Sequence, residues 1–238
     1  MIEIFRTTAP EDDCPYLKDR DWRMEYRGLI QLRPDEYERL LARGWRRNGA
    51  IFFRPRCRGC SECRSMRLDV DEFRPSKSQR RALRRNADVD VTIQAATVTD
   101  DHIRLFNSYH QDMTERRDWP LHHIDAEDYS NGFLDGDFEF AREFVYRRAG
   151  RVIGIGLVDV VPNGTSSVYF FHDPSWRPDG PGTFSILQEI EFARQTKRPH
   201  VYLGYYVADC PSMSYKSRFG PHEILQGFVE DNDLPTWE

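Results

Sequence analysis

Apolar and polar residues alternate in blocks that divide the chain into short strands and a few helices. The first thirteen residues read as an extended strand or arm, and Met24-Glu-Tyr-Arg-Gly-Leu-Ile alternates with the period of a half-buried strand. Arg33-Pro34-Asp35-Glu36-Tyr37 opens a helix with Pro in its first turn, which runs to Arg43 and stops at Gly44. Trp45 to Phe53 is strand-like, and Val89 to Ile93 alternates again. From about Asp100 the grammar changes. Asp101 to Asp112 is helical, and a polar, acidic stretch extends to Glu139. Phe144–Arg148 and Arg151–Val161 form two strands joined at Ala149-Gly150, and Asn163-Gly164 is a strong hairpin signal leading into a third strand, Ser167–His172. A Gly/Pro loop from Arg177 to Gly182 precedes a helix, Thr183–Gln195, that buries Phe184, Leu187 and Ile190. His200 to Val207 is a last strand. The pattern predicts an α+β chain in two regions, 1–95 and 96–238.

Meander, loop, helix and strand, in that order, predict an acyltransferase fold of the GNAT type for the second region. Arg177-Pro-Asp-Gly180-Pro-Gly182 also fits R-x-x-G-x-G, a loop whose backbone N–H groups cradle a pyrophosphate at a helix start. Pro181 removes one of those donors, which argues against an acetyl-CoA site.

Hydrophobic residues are 39% of the chain and aromatics 13%, enough for a packed core. No apolar run approaches the ~20 residues of a membrane helix, and the first residues lack the apolar core of a secretory signal. A cytoplasmic protein is therefore expected. The formal charge of −5 suggests no polyanionic partner, but the charge is segregated. Between Arg54 and Arg85 stand eleven basic residues and four acidic ones, so this stretch carries +7 and the remainder −12. If Ser76 or Ser78 caps a helix over Ser76-Lys-Ser-Gln-Arg-Arg-Ala-Leu-Arg-Arg-Asn, then Arg80/Arg84 and Arg81/Arg85 are like-charged i,i+4 pairs. Each such pair costs roughly 0.2–0.5 kcal/mol, which favours phosphate binding over a merely solvated face.

Two stretches carry a resemblance to a known family. One holds Gly44-Trp45-Arg46-Arg47-Asn48-Gly49, Phe53-Arg54-Pro55-Arg56-Cys57, Arg67 and Phe73-Arg74-Pro75-Ser76-Lys77-Ser78-Gln79-Arg80-Arg81. The other runs through Gly182-Thr183-Phe184-Ser185-Ile186-Leu187-Gln188-Glu189 and Tyr202-Leu203-Gly204-Tyr205-Tyr206 to Cys210-Pro211-Ser212-Met213-Ser214-Tyr215-Lys216. Both resemble the aminoacyl-tRNA–protein transferases of the N-degron pathway, and most closely their bacterial branch, the aspartate/glutamate leucyltransferases. The chain departs from that family's pattern at Ser212, at Gly220 and at Gly180-Pro181.

The resemblance implies transfer of an amino acid, leucine in this branch, from aminoacyl-tRNA to proteins that begin with Asp or Glu. The donor is an activated ester, so the chemistry requires no cofactor. The acceptor is an α-amine of pKa ~7.7–8.0, already partly neutral at cellular pH. Glu189 is the first candidate base and Asp173 the second; an ion pair on the helix is the alternative for Glu189. Tyr169 and Tyr206 stand at strand positions where a hydroxyl faces a cleft, or else belong to the core, with Tyr206 counted as catalytic. Thr183 begins the helix after the loop. An acidic acceptor calls for fixed positive charge, and the candidates are Lys216 with Tyr215, and Arg54, Arg67 or Arg80. Lys77, Arg81, Arg84 and Arg85 suit the tRNA backbone. Cys57-x2-Cys60-x2-Cys63, with Cys14 before it, has four thiols that suit a zinc ion or an iron–sulfur cluster, or are simply reduced cysteines. Three rivals remain open: an arginine donor, a catalytically silent tRNA- or degron-binding module, and an acetyl-CoA-dependent acetyltransferase.

Overall fold

In the computed structural model, which describes all 238 residues, the alternating segments assemble into two main sheets. Strand β1 (Ile2–Thr8) is followed by a short pair, β2 (Asp12–Asp13) and β3 (Asp21–Trp22), and then by β4 (Met24–Ile30), α1 (Pro34–Ala42), β5 (Arg46–Asn48) and β6 (Ile51–Pro55). These make a four-stranded antiparallel sheet in the order β1-β4-β6-β5. Next come β7 (Arg64–Asp69), α2 (Lys77–Arg85), β8 (Val89–Ala95), α3 (Asp100–Arg117) and α4 (Ala126–Tyr129). The last part holds β9 (Ala141–Arg148), β10 (Arg151–Val161), β11 (Gly164–His172), α5 (Pro181–Gln195), β12 (His200–Tyr206) and β13 (His222–Ile224). The second sheet has seven strands in the order β13-β7-β12-β11-β10-β9-β8. No helix is long and apolar enough to cross a membrane.

The mixed helix-and-sheet character matches the α+β expectation, but the boundary expected at 95/96 runs through one sheet. Both β7 and β8 precede it, yet they pair with β12 and β9. Strand β7 escapes the periodicity reading because Arg64 and Arg67 interrupt its apolar positions, Met66 and Leu68.

The strands β9 to β11 bury both faces, as their near-continuous apolar character requires. Val145, Ile155 and Phe171 face α3, while Phe144, Tyr146 and Val158 pack with Trp176 and Phe184 on the α5 side. Helix α5 also buries Ile186, Leu187 and Ile190 against Met66, Leu68 and Val201. Strands β11 and β12 are parallel neighbours, but their ladder covers only Gly164–Ser166 against His200–Tyr202. Beyond it the two strands separate, and a gap opens in the middle of the sheet.

A buried ion pair ties the small sheet to the large one. Arg47 donates to Asp159 at 2.9 Å through Nε and at 2.5 Å through Nη2, with both side chains almost wholly enclosed. Removing one partner leaves a bare buried charge, which typically costs ~3–5 kcal/mol. Asp159→Asn is accordingly expected to lower the urea midpoint by that equivalent at unchanged m-value; a loss below about 1 kcal/mol would show that the pair is not holding the sheets together.

Candidate active site

The gap between β11 and β12 is closed at one end by the start of α5. Gly180 holds the preceding residue position at φ +73°, a left-handed conformation that suits glycine, and Pro181 stands at the first helical position. Pro181 lacks an N–H at a place where a helix has no acceptor for one. Gly182 and Thr183 follow with N–H groups that have no carbonyl four residues back within the helix, and both line a cavity of about 560 Å³. The walls are Ser167, Val168, Tyr169, Phe170 and His172 of β11, Leu203 of β12, Tyr109 of α3, Arg177 from the loop, and Tyr215 and Lys216. Ile186 and Glu189 look into it from α5.

Glu189 is the one carboxylate in this wall, and only 4% of it is exposed. Burial raises its pKa to about 8, and the single hydrogen bond it accepts from Ser167 Oγ, at 2.5 Å, does not offset that. It therefore titrates beside the α-amine of a peptide, whose pKa is ~7.7–8.0. Lys216 is half-buried and donates from Nζ to the Tyr205 carbonyl at 2.6 Å. Burial, and then the nearby Arg46 guanidinium, lower it to about 8. Tyr169 donates or accepts at 2.8 Å with His110, which burial holds neutral by depressing its pKa to about 4.

Five of the expected site residues thus come together: Glu189, Tyr169, Thr183, Tyr215 and Lys216. Others are corrected by what they touch. Asp173 lies outside the cavity, where its carboxylate caps the turn at Ser175 (N–H 2.9 Å, Oγ 2.7 Å) and pairs with Arg151 at 2.6 Å. Tyr206 packs against the apolar cluster under α5. Arg54 is buried between the Trp45 and Phe228 rings, bonded to Glu25 at 2.8 Å and to the Val229 carbonyl at 2.6 Å. Arg67 pairs with Glu223 at 2.6 Å and lies over Trp237. Arg80 is exposed and donates to the Pro75 carbonyl at 2.5 Å. None of these four arginine and tyrosine side chains lines the cavity, because each already has partners in the frame.

The arginine helix does form, and Ser76 caps it. Ser76 Oγ accepts from the Gln79 N–H at 3.3 Å while the Gln79 side chain accepts from the Ser76 N–H at 2.7 Å, a reciprocal capping box. Lys77, Arg80, Arg81, Arg84 and Arg85 are exposed, and no acidic side chain pairs with any of them. Helix α2 packs against α5, and Arg85 Nη1 reaches the Pro178 carbonyl at 3.3 Å, in the loop that leads into the cavity.

Cys57, Cys60 and Cys63 line one small cavity, and Cys14 lies near enough to act on Cys63. Cys14, Cys57, Cys60 and Cys63 are free and half-buried, and no three His, Cys, Asp or Glu side chains anywhere are placed to hold a metal ion. Burial, and then the neighbouring thiols, push Cys63 up to about 12. No step below uses a metal ion or cluster.

Tyr109, Ser167 and Arg177 complete the site without having announced themselves as functional side chains. Ser167 stands in an ordinary strand and Tyr109 in an ordinary helix; only the fold brings them to Glu189. Arg177 was visible as the first residue of the Gly/Pro loop.

The family model described as arginine-tRNA-protein transferase, N terminus, matches residues 12–81, and that described as arginine-tRNA-protein transferase, C terminus, matches 101–226. The chain is 36% identical over 240 residues to an aspartate/glutamate leucyltransferase of Campylobacter jejuni, covering all of both chains. It is 34% identical over 225 residues to that of Helicobacter hepaticus, covering 94% of this chain and 93% of the other. With that of Ruegeria pomeroyi it shares 38% over 240 residues, 94% of this chain and 81% of the relative. Among solved structures, FemX superposes with a TM-score of 0.44 at 10% identity, over 75% of this chain and 61% of that one.

Proposed function

The chain belongs to the arginine-tRNA–protein transferase family, and from that premise we propose that it moves leucine from leucyl-tRNA to the N-terminal α-amine of proteins beginning with Asp or Glu. The products would be marked for N-degron proteolysis, in the cytoplasm where charged tRNA is found. The arrangement of β10, β11, α5 and β12 is read as a GNAT-like acyltransferase frame, with the donor in the gap between separated strands.

The observation that carries this reading is Glu189, a buried carboxyl of pKa about 8 inside a cavity that also presents a helix N-terminus and cationic side chains. Gly182 lies seven residues before Glu189, ~10 Å along the helix axis at 1.5 Å per residue. That separation suits the 3′-terminal nucleoside of a tRNA, with a phosphate oxygen at the free N–H groups and Arg177, and the ester further in near Glu189. Exposed cations of α2 would follow the backbone outward. Val168, Phe170, Ile186 and Leu203 supply the apolar wall that a leucyl side chain prefers over an arginyl one.

In the reaction, the acceptor's α-amine, having lost its ammonium proton to solvent, attacks the ester carbonyl carbon, and ionised Glu189 takes the proton that the newly bonded nitrogen must lose. The Tyr215 hydroxyl, in the same wall, is read as the donor for the oxyanion. The new C–N bond stays, the C–O bond to the terminal ribose breaks, and Glu189 returns its proton to the ribose oxygen. A carboxyl of pKa about 8 is basic enough to take that proton and acid enough to return it to the leaving oxygen. Most of the acceleration then comes from holding two macromolecules in line.

The test is direct. Incubation with radiolabelled leucyl-tRNA and peptides that begin with Asp, Glu or Ala should label the first two. Label on no peptide overturns the transferase reading, and label from arginyl-tRNA alone reassigns the donor.

A further inference from the structure

Arg46 is a buried cation without an ion-pair partner, since the nearby Asp159 carboxylate is bonded to Arg47. Only 6% of it is exposed, its Nη1 donates to the Trp45 carbonyl at 3.0 Å, and its Nε and Nη2 have no partner. No carboxylate pairs with it, whereas its neighbour Arg47 has Asp159 and Arg54 has Glu25. Its guanidinium sits near the Tyr202 and Tyr205 rings, at 5.6 and 5.7 Å from their centroids, so it is held in place by packing. An unpaired buried charge is expensive, and a chain that keeps one normally has an anion to receive.

The unpaired face borders a second, smaller cavity of about 170 Å³, which has no acidic residue in its wall. Ser167, Val168, Leu203 and Lys216 belong to this wall and to that of the main cavity, so the two spaces adjoin through the gap between β11 and β12. Ser166, whose buried hydroxyl also lacks a partner, lies in the same wall. Gly204 keeps the space open. A Cβ there would stand 3.6 Å from Lys216 Nζ and 4.0 Å from Arg46 Nε, between the two cations, and its φ of +81° disfavours any side chain. The volume is well below the ~300–1,000 Å³ of a small-molecule site and suits one short side chain.

We infer that this side cavity takes the side-chain carboxylate of the acceptor's N-terminal Asp or Glu, with Arg46 as its bidentate partner and Lys216 at the entrance. The inference rests on the transferase reading and deepens it. The acceptor's α-amine lies at Glu189 in the main cavity, and Ser167, bonded to Glu189 on one side and bordering the side cavity on the other, marks the junction. A carboxylate two or three bonds from the α-carbon then reaches the guanidinium, and a neutral isostere leaves Arg46 unpaired. Discrimination of this kind is strong, because the wrong substrate bears the desolvation of a buried charge.

The experiment measures kcat/KM for peptides identical after a first residue of Asp, Glu, Asn or Gln, with leucyl-tRNA as donor. Wild type should prefer Asp over Asn, and Arg46→Met should reduce that preference ~100-fold or more, with leucyl-tRNA binding and the circular-dichroism melt reporting that the chain is folded. An Asp:Asn ratio equal to that of wild type overturns the assignment. Arg46→Lys serves should Arg46→Met not fold. Its shorter, single-point charge is expected to shift preference from Asp toward the longer Glu, and an equal loss on both overturns the assignment as well. Wild-type protein that labels none of the peptides would instead sink the transferase reading, so the two failures are told apart.

Discussion

Glu189→Gln is expected to lower the rate of transfer by ~10²–10⁴, the range removed with a positioned general base. The pH profile should change with it. In the wild type two groups must lose a proton before the amine attacks, Glu189 with a pKa of about 8 and the acceptor amine at ~7.7–8.0. Below pH 7 the logarithm of kcat/KM should therefore rise with a slope near two, levelling above pH 8. The variant keeps only the amine and should rise with a slope near one. Equal slopes would remove Glu189 from the proton transfer.

The same carboxyl leaves a mark on stability. Its folded pKa is raised above the unfolded value of 4.5, so the folded state holds the proton more tightly. That contribution is whole below pH 4.5 and is lost as pH rises through about 8. By pH 7 the loss is roughly 3 kcal/mol, at 1.36 kcal/mol per pKa unit. Wild type should then lose melting temperature between pH 5 and pH 8 more steeply than Glu189→Gln, which cannot ionise. Parallel pH curves for the two proteins would show that the carboxyl is not desolvated.

The second large effect belongs to α2. Replacing Arg81, Arg84 and Arg85 together by Gln is expected to weaken leucyl-tRNA binding ~10²-fold at moderate ionic strength. It should also lower the slope of log K against log salt by about 2–3, near one for each phosphate contact. Folding should hardly suffer. The three side chains are exposed and have no acidic partner, and their removal relieves like-charge i,i+4 repulsion worth roughly 0.2–0.5 kcal/mol per pair. An affinity loss with an unchanged salt slope would mean that the helix does not touch phosphate. Acceptor kcat/KM at saturating leucyl-tRNA separates this variant from those of the acceptor pocket, since α2 is not in its wall.

Local signals were legible and long-range ones were not. The cap at Ser76, the Pro at the start of α1, the hairpin at Asn163-Gly164 and the apolar stripe of α5 are decided within a few residues, and each stands where the sequence puts it. The motif that holds Glu189 and the one that holds Tyr215-Lys216 also meet in one cavity. The sequence points to Arg54 and Arg67 and passes over Arg46. All three are arginines on strands, Arg46 just upstream of the basic stretch that holds the other two, and chemically interchangeable on paper. Arg54 is neutralised by Glu25 of the neighbouring strand and Arg67 by Glu223 of another, while no acid stands opposite Arg46. Which of them is free depends on strand order, and strand order is not a local property. Asp173 misled for a similar reason: its position before a Pro already gave it a capping task.

The place of β7 in the large sheet has a consequence for how the molecule is made. Arg67 reaches Tyr202 across 135 residues of chain, and β12, the inner neighbour of β7, is one wall of the catalytic gap. At ~5–20 residues per second on the ribosome, β7 waits roughly 7–27 seconds for that partner. Until then it carries two open edges, Met66 and Leu68 uncovered, and a run of cations close to ribosomal RNA. Non-local pairing of this kind slows folding and leaves an aggregation-prone interval. Arg64 and Arg67, which hid the strand from the periodicity reading, are the charges that would keep its unfinished edge from joining another chain.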